Sequence, residues 1–331
     1  MPEVSIICPI YNEELFIEQC IDSVLQQDLP PDKWELLLVD GMSTDLTRRL
    51  IEPYLNKHTN IRLLDNPHKT APYAMNLGIN AARGEYIVRI DAHADYPCNY
   101  VSTLLHFLQT LPDAANVGAV CRTLPRNNTK KAQAIAHVMS SRFGVGNAAF
   151  RTGVSEITEV DTVPFGCWRK SLFEDIGLFD VELTRNQDDE FNARTIQHGY
   201  KIYLIPELIV TYYSRDSLDK AFQMYYQYGL FKPLVNTKLK HPATLRQFVP
   251  VLFVLGLIIG FILSFLNPVI LYVYIAILAL YFAITSYYAI IHKNLYIPIS
   301  YFIVHFSYGC GYLHGLLKLI LKKKPDVNSN H

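Results

Sequence analysis

The sequence predicts an α/β fold with a mostly parallel central sheet, followed by a C-terminal α-helical membrane region. Three observations carry this. Short apolar runs that stop at a proline or a carboxylate alternate with segments of helical apolar spacing, the pattern of a parallel sheet with helices on both faces. One run, Ile87 to Ile90, leads straight into Asp91, His93 and Asp95, possible ligands in alternation. From Phe248 to Ile291 no residue is charged, enough for two membrane-length helices.

Val4 to Pro9 is the first buried strand, and Tyr11 to Glu14 form the loop at its end. Leu15 to Gln26 has helical spacing, with Phe16, Cys20 and Val24 on one line and Ile17, Ile21 and Leu25 beside it. Glu35 to Val39 is a second strand, ending at Asp40. A helix follows around Thr47 to Asn56, with Ser43 or Asp45 able to cap it. Ile61 to Leu64 is a third strand, Ala71 to Ala82 a helix, and Ile87 to Ile90 a fourth strand. In such sheets ligands sit beyond the carboxyl ends of the strands. Tyr11, Glu13, Asp40, Asp45, Asp91 and His93 all fall just past such ends.

Composition narrows the classes. The chain has 331 residues and a formal net charge of zero, which carries no electrostatic footprint for nucleic acid. Six scattered cysteines with no CxxC pair fit neither a zinc site nor a disulfide framework, and point to a reducing compartment. The N-terminus opens on a strand, so no cleaved signal peptide is expected. Neither GxGxxG nor GxxxxGK[ST] follows the first strand, which argues against a dinucleotide oxidoreductase and a P-loop nucleotidase. A tyrosine at a strand end could stack on a base, and Asp40 could accept from a base N–H; simple core packing is the plainer account of Tyr11. Asp91, His93 and Asp95 share a face if extended. Carboxylate oxygens suit Mg²⁺ or Mn²⁺ and an imidazole favours Mn²⁺, whereas the plain alternative is a solvated acidic turn.

VSIICPIYNEE, LLLVDGMSTDLT and APYAMNLGINAARGEYIVRIDAHADYP, in that order, resemble the nucleotide-sugar-binding half of inverting family 2 glycosyltransferases of the GT-A fold. The resemblance covers the first two thirds of the chain. It is nearest to bacterial exopolysaccharide enzymes of the succinoglycan-biosynthesis glucosyltransferase type. It implies that Pro9, Tyr11 and Glu13 line the nucleoside pocket, with Asp40 on the base. Lys69 and Asn76 would lie by the donor's phosphates or sugar; the bland readings are a loop charge and a helix-face polar residue. The family's metal pattern is Asp-x-Asp. Here it reads Asp91-Ala92-His93, which makes Asp91 and His93 the implied ligands of Mn²⁺ or Mg²⁺ and Asp95 the reserve.

Val117 to Arg122 is a further strand, and residues 126–151 read as a long polar loop, on the acceptor side or a lid under the resemblance. The family's general base comes from an acidic pair opening a helix, followed by an arginine and a glycine-aromatic pair. Counting back from Arg194 and Gly199-Tyr200, Asp188 takes that place, with Gln187 before it and Asp189 and Glu190 after. The competing account is that these acids only cap a helix, whose dipole favours them.

The expected divisions are a catalytic domain over 1–215, an amphipathic interfacial connector over 216–247, membrane or interfacial helices over 248–321, and a basic polar tail over 322–331. Ser217 to Phe231 is aromatic, with Lys232, Lys238, Lys240 and Arg246 after it. Phe248 to Leu266 and Val269 to Ile291 are candidate spans. Leu295 to Leu321 puts Ser300, Ser307, Gly311, His314 and Lys318 on one helix face, to lie in the interface or pack on other helices. Basic flanks on both sides favour an even number of spans and a cytoplasmic catalytic domain at the cell membrane.

The resulting expectation is a membrane-anchored inverting glycosyltransferase. It would move a sugar from a nucleotide-sugar, a UDP-sugar first, to a polyprenyl-diphosphate-linked saccharide, with membrane lipid as a further partner and no nucleic acid. The alternatives are a nucleotidyltransferase or an inactive membrane scaffold.

Overall fold

The computed structural model describes residues 1–325; residues 326–331 of the expected tail lie outside them. In chain order the elements are β1 (Val4–Ile10), α1 (Ile17–Leu25), β2 (Trp34–Asp40), α2 (Thr47–Lys57), β3 (Ile61–Asp65), α3 (Ala71–Ala81), β4 (Tyr86–Arg89), β5 (Ala94–Asp95), α4 (Tyr100–Thr110) and β6 (Ala114–Leu124). Then come α5 (Lys130–Ser140), α6 (Arg142–Val145), α7 (Ala149–Thr152), β7 (Thr158–Glu159), β8 (Cys167–Arg169), α8 (Leu172–Ile176), α9 (Gln187–Gln197) and β9 (Lys201–Tyr213). Four helices follow: α10 (Leu218–Leu239), α11 (Phe248–Ser264), α12 (Pro268–Ile291) and α13 (Ile297–Ile320).

The chain divides into two compact units. The first is Met1–Arg122 with Ala149–Tyr212; the second is Thr123–Ala148 with Tyr213–His331. The domain expected over 1–215 is therefore not continuous. Residues 126–151, expected as a loop, carry α5, α6 and α7, and α5 and α6 belong to the second unit. α5 buries Ala132, Ala134, Ile135, Ala136, Val138 and Met139. Its apolar face is mostly alanine, too weak in hydropathy to stand out between polar neighbours.

In the first unit the sheet order is β3-β2-β1-β4-β8-β6-β9-β5, with β7 also on β9. β1 pairs in parallel with β2 and β4, and β2 with β3. β8 is antiparallel to β4 and β6, and β9 to β5 and β7. Strand alternation sends Ile6, Cys8, Ile10, Leu36 and Leu38 into a core with α1, α2 and α4. Ile7, Leu37, Val39 and Ile87 enter a second core with α3, α8 and Phe191 of α9. Register puts Ile10 beside Asp40 and Asp40 beside Asp65, so the parallel strands end together.

In the second unit α10 and α13 approach to backbone contact. A Cβ on Gly229 would lie 2.1 Å from the Tyr308 carbonyl oxygen, and one on Gly311 would lie 2.1 Å from that of Tyr226. Gly309 lets α13 meet α11 at Pro250 in the same way. Ser300, Ser307 and Gly311, on the small-residue face, are buried, and His314 bonds the Tyr226 hydroxyl, so that face packs on protein. α11, with the turn before it, and α12 are long and apolar enough to cross a membrane by length and composition. Many of their side chains, including Ile258, Phe261 and Val273, are exposed, as are Phe265 and Leu266 between them.

Candidate active site

Four loops of the first unit converge at the strand ends, and four residues outside glycine take left-handed backbone there: Asn12 after β1, Met42 after β2, Lys69 after β3 and Asn186 before α9. Such backbone is costly and is held only where the surroundings demand it. Asn12 is locked by its partners, since its N–H donates to Ser43 Oγ and its Oδ1 accepts from Thr44 N. Gly41 lets Tyr11 and Lys69 close over the end of β2. A Cβ there would stand 3.1 Å from Tyr11 Cδ2 and 3.3 Å from Lys69 Cα. Lys69 Nζ sits 5.7 Å from the Tyr11 ring centroid. Pro9 pairs with Val39 just past the point where the β4 ladder stops, at Ile7.

Asp40 is fully buried and heavily supported. Its carboxylate accepts from Ser43 N and Oγ and from Arg48 Nη1, while Arg48 Nη2 reaches Asp65 at 2.8 Å. Ser43, expected as a possible cap of α2, is thus used on Asp40, and Asp45 accepts the Thr47 N–H at the start of that helix. The Asn76 amide both donates to Phe179 O and accepts from Phe179 N. It lines a hollow with Asp65, His68 and Tyr73.

Asp91 follows β4. Arg89 Nε and Nη2 both donate to its Oδ1, at 3.3 and 3.2 Å, and its N–H donates to the Tyr96 hydroxyl at 2.7 Å. Burial, with the Asp91 charge beside it, pushes the Tyr96 phenol well above its usual range and keeps it protonated. Arg89 is only 6% exposed. Burial opposes its charge, but Asp91 and then Asp188 outweigh that and hold the guanidinium charged. Its Nη1 is buried without a hydrogen-bond partner, a costly state for a charged group. In the sequence Arg89 falls within the run from Ile87 to Ile90, where its one signal is an arginine closing a buried strand.

His93 Nδ1 meets Glu13 Oε1 at 3.3 Å. A ligating histidine usually gives its other ring nitrogen to such a carboxylate, the contact that His93 makes with Glu13. Asp95, two residues on, accepts from Gln19 at 2.7 Å in the β5–β9 pairing. Arg151 lies 5.4 Å above the ring of Tyr212, itself 6.2 Å from His93. Among the described residues no three His, Cys, Asp or Glu gather as a metal cluster. Asp91 and His93 nevertheless fit Mg²⁺ or Mn²⁺, which take one or two protein ligands beside phosphate oxygens and water.

α9 is fixed by aromatic packing beneath its first turns. Phe191 lies 4.4 Å from Phe179 and 5.2 Å from Phe173 between ring centroids. Asn192 is buried on Thr162 Oγ1 and the Val163 carbonyl. The three acids then differ. Glu190 is buried and bidentate with Arg194, at 2.8 and 3.0 Å. Arg194 also donates to the carbonyls of Ile176, Gly177 and Leu178, tying α9 to the preceding loop. Asp189 accepts from Thr162 Oγ1 at 3.4 Å. Asp188 Oδ1 accepts the Asp189 N–H at 3.0 Å, and its charge is felt at Arg89. The arrangement offers a supported carboxylate and imidazole at the strand ends, and a separate carboxylate at the mouth of a helix.

Residues 5–177 match the pattern of glycosyl transferase family 2. The chain is 30% identical over 326 residues to the dolichyl N-acetyl-alpha-D-glucosaminyl phosphate 3-beta-D-2,3-diacetamido-2,3-dideoxy-beta-D-glucuronosyltransferase of Methanococcus voltae, covering 95% of this chain and 97% of that one. It is 30% identical over 276 residues to the succinoglycan biosynthesis protein ExoA of Rhizobium meliloti, covering 79% and 78%. The mannosyltransferase PcManGT of Pyrobaculum calidifontis, solved with GDP-Man and Mn²⁺, shares the fold with a TM-score of 0.56 over 98% of this chain and 88% of that one, at 20% identity. Matched over half its length by the family pattern and over nearly all of it by a 30% identical relative, the chain belongs to glycosyl transferase family 2.

Proposed function

We propose that the protein is a membrane-anchored inverting glycosyltransferase that moves a sugar from a UDP-sugar to a polyprenyl-diphosphate-linked saccharide in cell-surface polysaccharide synthesis. The observation that carries it is the supported donor pair, Asp91 on Arg89 and His93 on Glu13, at the carboxyl ends of the parallel strands. Tyr11, Lys69 and Asp40 stand at the neighbouring strand ends and take the nucleoside and its phosphates, with Pro9 shaping the loop. Asp91 and His93 would hold Mn²⁺ or Mg²⁺, which when bound neutralises the diphosphate leaving group.

Asp188 acts as the general base. It takes the acceptor hydroxyl's proton as that oxygen forms its bond to the anomeric carbon. The bond from that carbon to the diphosphate oxygen breaks, and the electron pair leaves with the nucleoside diphosphate. One displacement inverts the centre. Glu190 cannot share this task while Arg194 holds both its oxygens. The relative acting on a dolichyl phosphate sugar supports a lipid-linked acceptor, and the two apolar helices support a membrane anchor. Basic residues before α11 and after α13 favour a cytoplasmic catalytic unit.

The test is a panel of sugar nucleotides offered to the purified full chain with a lipid-linked saccharide. Acceptor-dependent release of nucleoside diphosphate is expected. Release of inorganic diphosphate would identify a nucleotidyltransferase, and no turnover with any donor would leave a scaffold.

A further inference from the structure

The zero net charge of the chain is a cancellation between its two units. The helical unit holds 15 of the 30 lysines and arginines but only three of the 30 acids, a net charge of +12. The catalytic unit holds the other 15 bases and 27 acids, a net charge of −12. Within the described part of the helical unit the acids are Asp216 and Asp219, and Asp216 is paired with Lys220.

The basic residues are brought to one end of the apolar hairpin by contacts between segments distant in sequence. α11 and α12 are joined by a short turn at Asn267, so the start of α11 and the end of α12 lie at the same end. Lys240 and Arg246 precede α11, and Lys293 follows α12. Asn294 Nδ2 donates to the Lys130 carbonyl at 2.7 Å, which brings the start of α5 to that end. Lys131 Nζ lies 5.6 Å from the Tyr296 ring, and Arg246 Nη1 donates to Asn147 Oδ1 at 3.4 Å. Lys130, Lys131, Arg142, Lys240 and Lys293 are exposed. Tyr296, against Lys131, and Tyr287 of α12 are exposed as well, and such amphipathic rings favour a membrane–water boundary.

We propose that this collar binds the headgroups of anionic phospholipids, so that the enzyme selects an anionic lipid surface rather than any bilayer. Cationic side chains at the base of membrane helices are drawn to anionic headgroups, and no acid of the collar segments opposes them here. The inference rests on the membrane reading of α11 and α12, not on the transfer reaction.

The full chain is reconstituted in phosphatidylcholine vesicles carrying a trace of spin-labelled phosphatidylglycerol or spin-labelled phosphatidylcholine. The immobilised fraction at the protein boundary is read by electron spin resonance. Phosphatidylglycerol should be favoured roughly fivefold or more, the effect of even one well-placed lysine at an anionic surface. The preference should shrink in high salt, which screens exposed charges. It should vanish in the triple variant Lys130→Glu, Lys131→Glu, Lys293→Glu, with the milder Lys→Gln triple falling between. Equal immobilisation of the two lipids would overturn the proposal, as would a preference unchanged in both triples. So would displacement of bound label by polyprenyl phosphate in the absence of any preference for phosphatidylglycerol. Failure of the wild type to float with vesicles would overturn the membrane reading itself, and the collar with it.

Discussion

The catalytic unit and the helical unit are held together in different ways. In the first, large aliphatic side chains from alternate strand positions fill two cores, and polar chemistry gathers where the strands stop. In the second, helices are joined by removing side chains, so that Gly229, Gly311 and Gly309 bring backbone against backbone. The first unit is net acidic and is proposed to receive an anionic donor, so its local cations and any bound metal must work against the field of the whole. The second is net basic and nearly free of acids. On the proposed reading, function in one unit resides in particular functional groups, and in the other in close packing and summed charge. Substitutions should sort accordingly.

The largest effect is expected at Asp188. Asp188→Asn keeps shape and capping ability but cannot take a proton, so turnover should fall by roughly two to four orders of magnitude. Donor affinity and melting temperature should hold. Glu190→Gln should do the reverse, lowering the melting temperature by unpairing Arg194 while folded molecules still turn over. Kinetics and melting of both variants in one preparation check this. A dead but folded Glu190→Gln beside an active Asp188→Asn would move the base to Glu190.

Next comes Asp91→Ala, which should cost about a hundredfold or more in metal-dependent turnover, since leaving-group neutralisation is worth several kcal/mol. Metal titration should show His93→Ala weakened and Asp95→Ala unchanged. His93→Asp should remain active with its preference moved toward Mg²⁺, the harder ion. The opposite ranking would transfer the ligand role to Asp95.

Arg89→Met and Glu13→Gln test the supports behind those ligands. Each should weaken Mn²⁺ binding about 10- to 100-fold, the usual loss when a ligand's partner is removed. Calorimetric titration without donor reads this directly. Unchanged affinity would reduce Arg89 to a structural charge.

Two glycines sharpen the contrast between the units. Gly311→Ala forces α10 and α13 apart and should destabilise by about 1–3 kcal/mol, the typical cost of overpacking, with donor affinity kept. Gly41→Ala pushes on Tyr11 and Lys69 and should weaken donor binding with little change in melting. If both variants behaved alike, the division between the units would fail.

The smallest expected effect is a pH dependence in the helical unit. Burial, aided by the neighbouring His292, pushes His137 of α5 down to about 4. Its ring stands 4.0 Å from that of His292, and its Nε2 is 3.1 Å from the Tyr301 hydroxyl, with Tyr288 alongside. The unfolded chain therefore binds this proton more readily than the folded one. The His137 contribution is complete above its ordinary value of about 6.5 and is lost as pH falls toward 4. Melting temperature followed from pH 7.5 to 4.5 should decline less in His137→Gln than in the wild type.

Much of the catalytic half was legible from the sequence alone, because its rules are local. Apolar runs of strand length ending at carboxylates, with helical spacing between them, specify a parallel sheet and place Tyr11, Asp40, Asp91 and His93 just past the carboxyl ends of its strands. The charge-free stretch from Phe248 to Ile291 likewise marked both apolar helices. What was not legible depends on partners far apart in the chain. Arg89 reads as one residue of an apolar strand, and only the fold turns its guanidinium onto Asp91. Both ends of the Asn76 amide bond Phe179, 103 residues away, a pairing no local pattern signals. Along the chain only the count back from Arg194 and Gly199-Tyr200 distinguishes Asp188 from its acidic neighbours, whereas in the fold Arg194 holds both oxygens of Glu190. The alanine-rich helix after residue 130 looked like loop because its burial comes from packing within the other unit. Net charge hid its own structure for the same reason: a sum along the chain is blind to which residues fold together, and only the tertiary structure divides zero into −12 and +12.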